Sequence, residues 1–106
     1  MIEHIIVVKA RPGAEEAVTE ALVEFAAGIA VLPGLIELTV GPNFHTRSLD
    51  AGVTHGMLVR LVDEDALDRY QKHPVHAALL SRLDETCVGR IVLDWVVERD
   101  PAGAAA

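Results

Sequence analysis

Tyr70 and His76 stand at either end of the run Tyr70-Gln71-Lys72-His73-Pro74-Val75-His76. A residue ahead of proline is driven out of the helical region. A helix should therefore stop near Lys72 and a second begin at Pro74, which suits a first helical turn. A break of that kind can fold the side chains of Tyr70 and His76 toward one another. A phenol and a neutral imidazole within hydrogen-bond reach make an acid/base pair. The imidazole titrates near neutrality and can take a proton from carbon or oxygen. The phenol can donate to the oxygen of a developing enolate or alkoxide. The plainer alternative is that Tyr70 packs on a sheet and His76 caps a helix.

Four further histidines are present. His4 alternates with Ile6 and Val8, and His55 with Met57, Val59 and Leu61, so each imidazole sits in an apolar row. A buried imidazole must find a partner or face a cavity. Singly, each reads as a core histidine; together with the Tyr70–His76 run they point to a lined pocket. His4 and His55 both lie near strand starts, which places them toward opposite ends of antiparallel neighbours, too far apart to share a metal ion. His45 falls in a polar loop and reads as solvent-exposed, while His73 reads as a cap or backbone contact. There is no glycine-rich phosphate loop and no serine in a nucleophile elbow. Neither a metal nor a cofactor is expected. Cys87 reads as a packed thiol, and Asp94 as a structural ion-pair partner of Arg60, either within the sheet or across a dimer interface.

The elements that must position these groups follow from periodicity. Ile2 to Ala10, Leu35 to Val40, Thr54 to Val62 and Val88 to Glu98 are β-branched-rich and read as strands. Ala14 to Leu32 carries Ala17, Val18, Ala21, Leu22, Phe25 and Ile29 at helical spacing and is closed by Pro33-Gly34. Asp63 to Lys72 and Pro74 to about Asp84 are short helices, with Asp63 or Asp65 as N-cap. The order is βαββαβ, an α+β, ferredoxin-like sandwich with a four-stranded antiparallel sheet. Residues 1–99 form one domain, and 100–106 a frayed tail. Helices can cover one face of such a sheet. Here both faces are apolar, since Ile6 and Val8 oppose Ile5 and Val7 on the first strand while Ile91, Leu93, Trp95 and Val97 oppose Val92 and Val96 on the last, so a second copy is expected to cover the free face, sheet to sheet.

The chain has 106 residues, enough for one core, and 51% of them are hydrophobic. Its net charge is −7, which argues against nucleic acid or an anionic membrane as partner. No stretch is long and apolar enough to span a bilayer, no secretory signal is visible, and one cysteine fits a reducing cytoplasm.

In order along the chain come His4-Ile5-Ile6-Val7-Val8-Lys9, Gly41-Pro42-Asn43, Thr54-His55-Gly56, the Tyr70–His76 run and Arg90-Ile91-Val92-Leu93-Asp94. From His4 to Val97 this resembles the stress-responsive dimeric α/β-barrel (Dabb) family, including its olivetolic acid cyclase-like polyketide cyclases. The resemblance implies a homodimer whose two sheets close a barrel. It also implies a pocket between sheet and helices for a small hydrophobic or polyketide-like ligand. In cyclase chemistry His76 would remove a proton from an activated methylene and Tyr70 would hold the thioester or enolate oxygen. His4 and His55 would orient the ketone chain, with Phe25 and Met57 on the pocket wall. Two other functions stay open: a non-catalytic stress-response or small-molecule-binding protein, and a cofactor-independent dimeric-barrel monooxygenase.

Overall fold

A computed structural model describes residues 1–44 and 51–98. His45 and the tail from residue 100 lie outside the described residues. The elements are β1 (Ile2–Ala10), α1 (Glu15–Ile29), β2 (Leu35–Pro42), β3 (His55–Leu61), α2 (Glu64–Lys72), α3 (Pro74–Thr86) and β4 (Cys87–Val96). The strands form one sheet in the order β2-β3-β1-β4, with every neighbouring pair antiparallel. This is the expected βαββαβ order, with the second helical region split in two.

Local chemistry explains the breaks. Helix α1 ends at Ile29, earlier than the apolar spacing suggests, because Leu32 N–H donates to the Ile29 carbonyl and a turn leads into Pro33-Gly34. Gly34 takes a φ of 88°, and a Cβ there would lie 2.7 Å from the Cβ of Ala66. Only glycine suits that position, which brings the turn down onto α2. Asp63 caps α2 by accepting from Ala66 N–H at 2.9 Å. His73, with ψ of 137°, is forced extended by Pro74 and caps α3 in the same way: its Nδ1 accepts from Val75 N–H at 3.1 Å. The expectation that His73 contacts backbone therefore holds.

Alternation along the strands sorts the two faces. Ile2, His4, Ile6 and Val8 of β1 and His55, Met57, Val59 and Leu61 of β3 point to the helices and are buried. They meet Val18, Leu22, Phe25 and Ile29 of α1, Tyr70 of α2, and Leu79 and Leu83 of α3. The opposite face carries Ile5, Val7 and Leu58, with Ile91, Leu93 and Trp95 of the edge strand β4 exposed at 59%, 56% and 40%. One expectation is corrected here. Within the protomer Asp94 does not pair with Arg60, because the two residues lie on opposite faces of the sheet. Arg60 instead reaches Glu3 at 2.9 Å and Glu37 at 3.8 Å, its cross-strand neighbours on the back face.

Candidate active site

Four elements converge on Tyr70. The side chain comes from the last turn of α2, is fully buried, and is flanked by His4 from β1, His76 from α3 and Phe25 from α1. The ring centroids of His4 and His76 each lie 5.1 Å from that of Tyr70, and Phe25 lies 5.7 Å from it, edge to face. Phe25 also reaches His76 at 6.2 Å. The break at His73-Pro74 thus does what its sequence implies: it returns the chain so that His76 packs against Tyr70.

The Tyr70 hydroxyl is buried and has no hydrogen-bond partner among the described residues. Leaving such a group unpaired costs about 1–3 kcal/mol. Burial, and then the nearby Asp94 carboxylate, push its pKa well above the usual phenol range, so it stays protonated. His76 is half-buried. Desolvation first, then His4 and Arg90, lower its pKa, against a hydrogen bond to the Gln71 backbone that raises it. Near neutral pH it is an uncharged imidazole, able to accept a proton. His4 is buried, and its Nδ1 is hydrogen-bonded with Oδ1 of Asp94, its cross-strand partner on β4.

His4, Phe25, Tyr70 and His76 therefore form one cluster. His55 and Met57 belong to the same helix-facing row of the sheet but stand apart from it. His4 pairs with Val59 and His55 with Val8. Four strand positions separate the two histidines, roughly 13 Å. His55 has both ring nitrogens engaged, Nε2 with Thr19 Oγ1 at 2.9 Å and Nδ1 with Thr54 Oγ1 at 2.8 Å. Burial lowers its pKa, opposed by Glu15. It joins the start of α1 to β3. Met57 is buried between His55 and Val59.

Asp94 is the site residue that sequence reading assigned elsewhere. The available signal was a lone carboxylate sharing a face with Val92 and Val96, and what it lacked was the register that sets Asp94 opposite His4. A groove of about 380 Å³ between α2 and β4, lined by Ile2, Leu67, Gln71, Asp94 and Val96 among others, opens on this carboxylate. A larger depression of about 610 Å³ lies on the back of the sheet around Val7, Gly41 and Gly56, away from the acid–base cluster. Among the described residues no group of three or more His, Cys, Asp or Glu is placed to hold a metal ion. No described helix is long and apolar enough to cross a membrane.

A four-stranded antiparallel sheet with helices on one face, and a tyrosine–histidine cluster between them, defines a ferredoxin-like α+β protein. The chain belongs to the stress responsive A/B barrel domain (Dabb) family, whose model matches residues 2–97. No curated protein matches it. Among solved structures, a dimeric ferredoxin-like protein of unknown function from Jannaschia sp. CCS1 is 27% identical (TM-score 0.80, covering 91% of this chain and 98% of that one). A dimeric protein of unknown function and ferredoxin-like fold from Bacteroides fragilis is 22% identical (TM-score 0.74, 89% and 93%). SnoaB, a cofactor-independent oxygenase from Streptomyces nogalater, is 16% identical (TM-score 0.76, 94% and 95%). The latter two likenesses are of fold alone.

Proposed function

We propose that this protein is a small-molecule acid–base enzyme of the polyketide cyclase type, acting on a poly-β-ketone by intramolecular aldol cyclisation. The observation that carries this reading is the buried Tyr70 hydroxyl, unpaired among the described residues and flanked by two imidazoles. An orphaned donor beside a neutral base is a poor way to build a core and a useful way to meet an oxyanion. His76 removes a proton from a methylene between two carbonyls. The electron pair moves onto the carbonyl oxygen, which Tyr70 holds by donating its O–H. The enolate carbon then attacks a second carbonyl of the same chain, and the new alkoxide takes the proton from His76. No net proton or electron is gained or lost. Phe25 packs beside both rings.

The test is incubation with a linear tetraketide thioester. The wild-type protein should give cyclised product, and His76→Ala should slow it by about 10²–10⁴-fold, the usual share of a general base. Equal product from both proteins removes His76 from the mechanism. A non-catalytic binding protein is the second reading. It is favoured by the complete burial of Tyr70, which does not line the groove at Asp94; ligand binding without turnover would support it.

The same reading makes the protein a homodimer joined through the back of the sheet. Its apolar character supports this, as do the two neighbours described as dimeric. The one cysteine, Cys87, is buried and free, which suits a cytoplasmic setting.

A further inference from the structure

Asp94 lies on an edge strand, 38% exposed, and its carboxylate meets a buried imidazole. An ionised carboxylate can only accept hydrogen bonds. The His4 nitrogen that meets it, Nδ1, must therefore carry a hydrogen, and in the neutral ring Nε2 is then the lone-pair nitrogen. Nε2 makes no hydrogen bond to a described residue. The ring also lies 5.1 Å, centroid to centroid, from Tyr70. The titratable groups facing His4 are Asp94 from β4, Tyr70 from α2 and His76 from α3; its partner on β3 is Val59.

We infer that Asp94 is a positioning residue that locks His4 in the Nδ1–H tautomer, making His4 Nε2 a second proton acceptor beside Tyr70. Rather than merely orienting a ligand, His4 takes up at Nε2 a proton from a second acidic C–H of the bound poly-β-ketone, distinct from the one that His76 removes. The imidazolium so formed keeps its Nδ1–H on Asp94, and the carboxylate offsets the new charge. The electron pair stays on the atom that lost the proton, and the same proton returns from Nε2 at the end of the cycle. Among the described residues no carboxylate plays this role for His76, which is hydrogen-bonded to the Gln71 backbone. The two imidazoles are thus unlike: one is backed by an anion, the other kept neutral by its surroundings. The catalytic part of this inference rests on the acid–base reading above, whereas the tautomer does not.

The experiment is ¹⁵N NMR of the histidine rings at a pH where they are neutral, on wild type, Asp94→Val and Asp94→Glu. Valine is close to aspartate in size, suits a strand and removes the acceptor. Thermal unfolding checks that each variant is folded. Wild-type His4 should show a protonated Nδ1 and a bare Nε2. Asp94→Val should lose that pattern in favour of the Nε2–H form that free imidazole side chains prefer, and Asp94→Glu should keep it. An Nε2–H tautomer in wild type, or the same tautomer in wild type and Asp94→Val, overturns the inference. With tetraketide thioester as probe, Asp94→Val should lower kcat by about 10–100-fold with KM within about threefold, and Asp94→Glu should recover part of it. An unchanged kcat with the predicted tautomer change overturns the catalytic role. Absence of turnover by wild type refutes the cyclase reading instead, and the tautomer alone then decides the role of Asp94.

Discussion

The Tyr70 hydroxyl opposes stability and function to one another. Its burial without a described partner is a standing cost to the fold. Tyr70→Phe keeps the ring and its contacts with His4, Phe25 and His76 and deletes only the unpaired group. The variant should be more stable than wild type by about 1 kcal/mol in urea unfolding, while losing turnover of a tetraketide thioester. A destabilised Tyr70→Phe would mean that the hydroxyl has a partner after all, and the case for a waiting donor would collapse. His55 makes a separate prediction. Its pKa in the folded protein lies below its ordinary value of 6.5, chiefly through burial. As pH falls from about 7, the unfolded chain therefore takes up a proton before the native state does, and stability declines through that window. His76 shifts in the same direction. His55→Gln removes one of the two contributions, so the fall in unfolding free energy between about pH 7 and 5.5 should be shallower than in wild type. An identical slope would show that His55 titrates alike in both states. His4, Tyr70 and His76 were legible in the sequence because each stands out by type in an apolar or proline-broken setting. Asp94 was not, because one-strand alternation gives a residue's face and not its neighbour across the ladder.

The elements were legible for reasons that can be traced to single residues. Proline at 74 and 33, Asp63 at a helix start and β-branched runs at Ile5–Val8 and Ile91–Val92 act locally, and local rules suffice for them. Strand ends were less so: β2 runs on to Pro42 because it keeps pairing with β3 as far as His55, a contact between residues far apart in sequence. Gly34 shows how an element is placed rather than formed. Its φ is positive, and only 2.7 Å would separate an added Cβ from the Cβ of Ala66. That close approach seats the β2 entry against α2, the helix that carries Tyr70. Gly34→Ala meets two penalties, the left-handed backbone and the crowding of Ala66. It should cost about 2–4 kcal/mol in chemical denaturation. A loss below about 0.5 kcal/mol would show that α2 is free to shift away from the turn.

For the whole molecule, the back of the sheet and the site in front of it share one strand. Leu93 and Asp94 are adjacent on β4 and point to opposite faces: Leu93 with Ile5 on the back, Asp94 with His4 toward the helices. As the edge strand, β4 is hydrogen-bonded on one side only, to β1. In a lone protomer Ile91, Leu93 and Trp95 would remain in water, a patch of the kind that soluble monomers rarely keep. A second sheet laid over that patch, as proposed above, would bury it and clamp the strand that holds Asp94. In a two-fold interface each substitution acts twice, so Leu93→Asp should place two unpaired carboxylates in the contact. Sedimentation at micromolar concentration should give about twice the 11.4 kDa chain mass for wild type and a single chain for the variant. Freed of its cover, β4 should also exchange its amide hydrogens faster than in wild type, while β1 and β3 stay protected at the centre of the sheet. A wild-type monomer would dismiss the face-to-face assembly. A monomeric Leu93→Asp whose β4 exchanges as slowly as in wild type would show that β1 alone holds Asp94 against His4, and that the acid–base cluster owes nothing to the second copy.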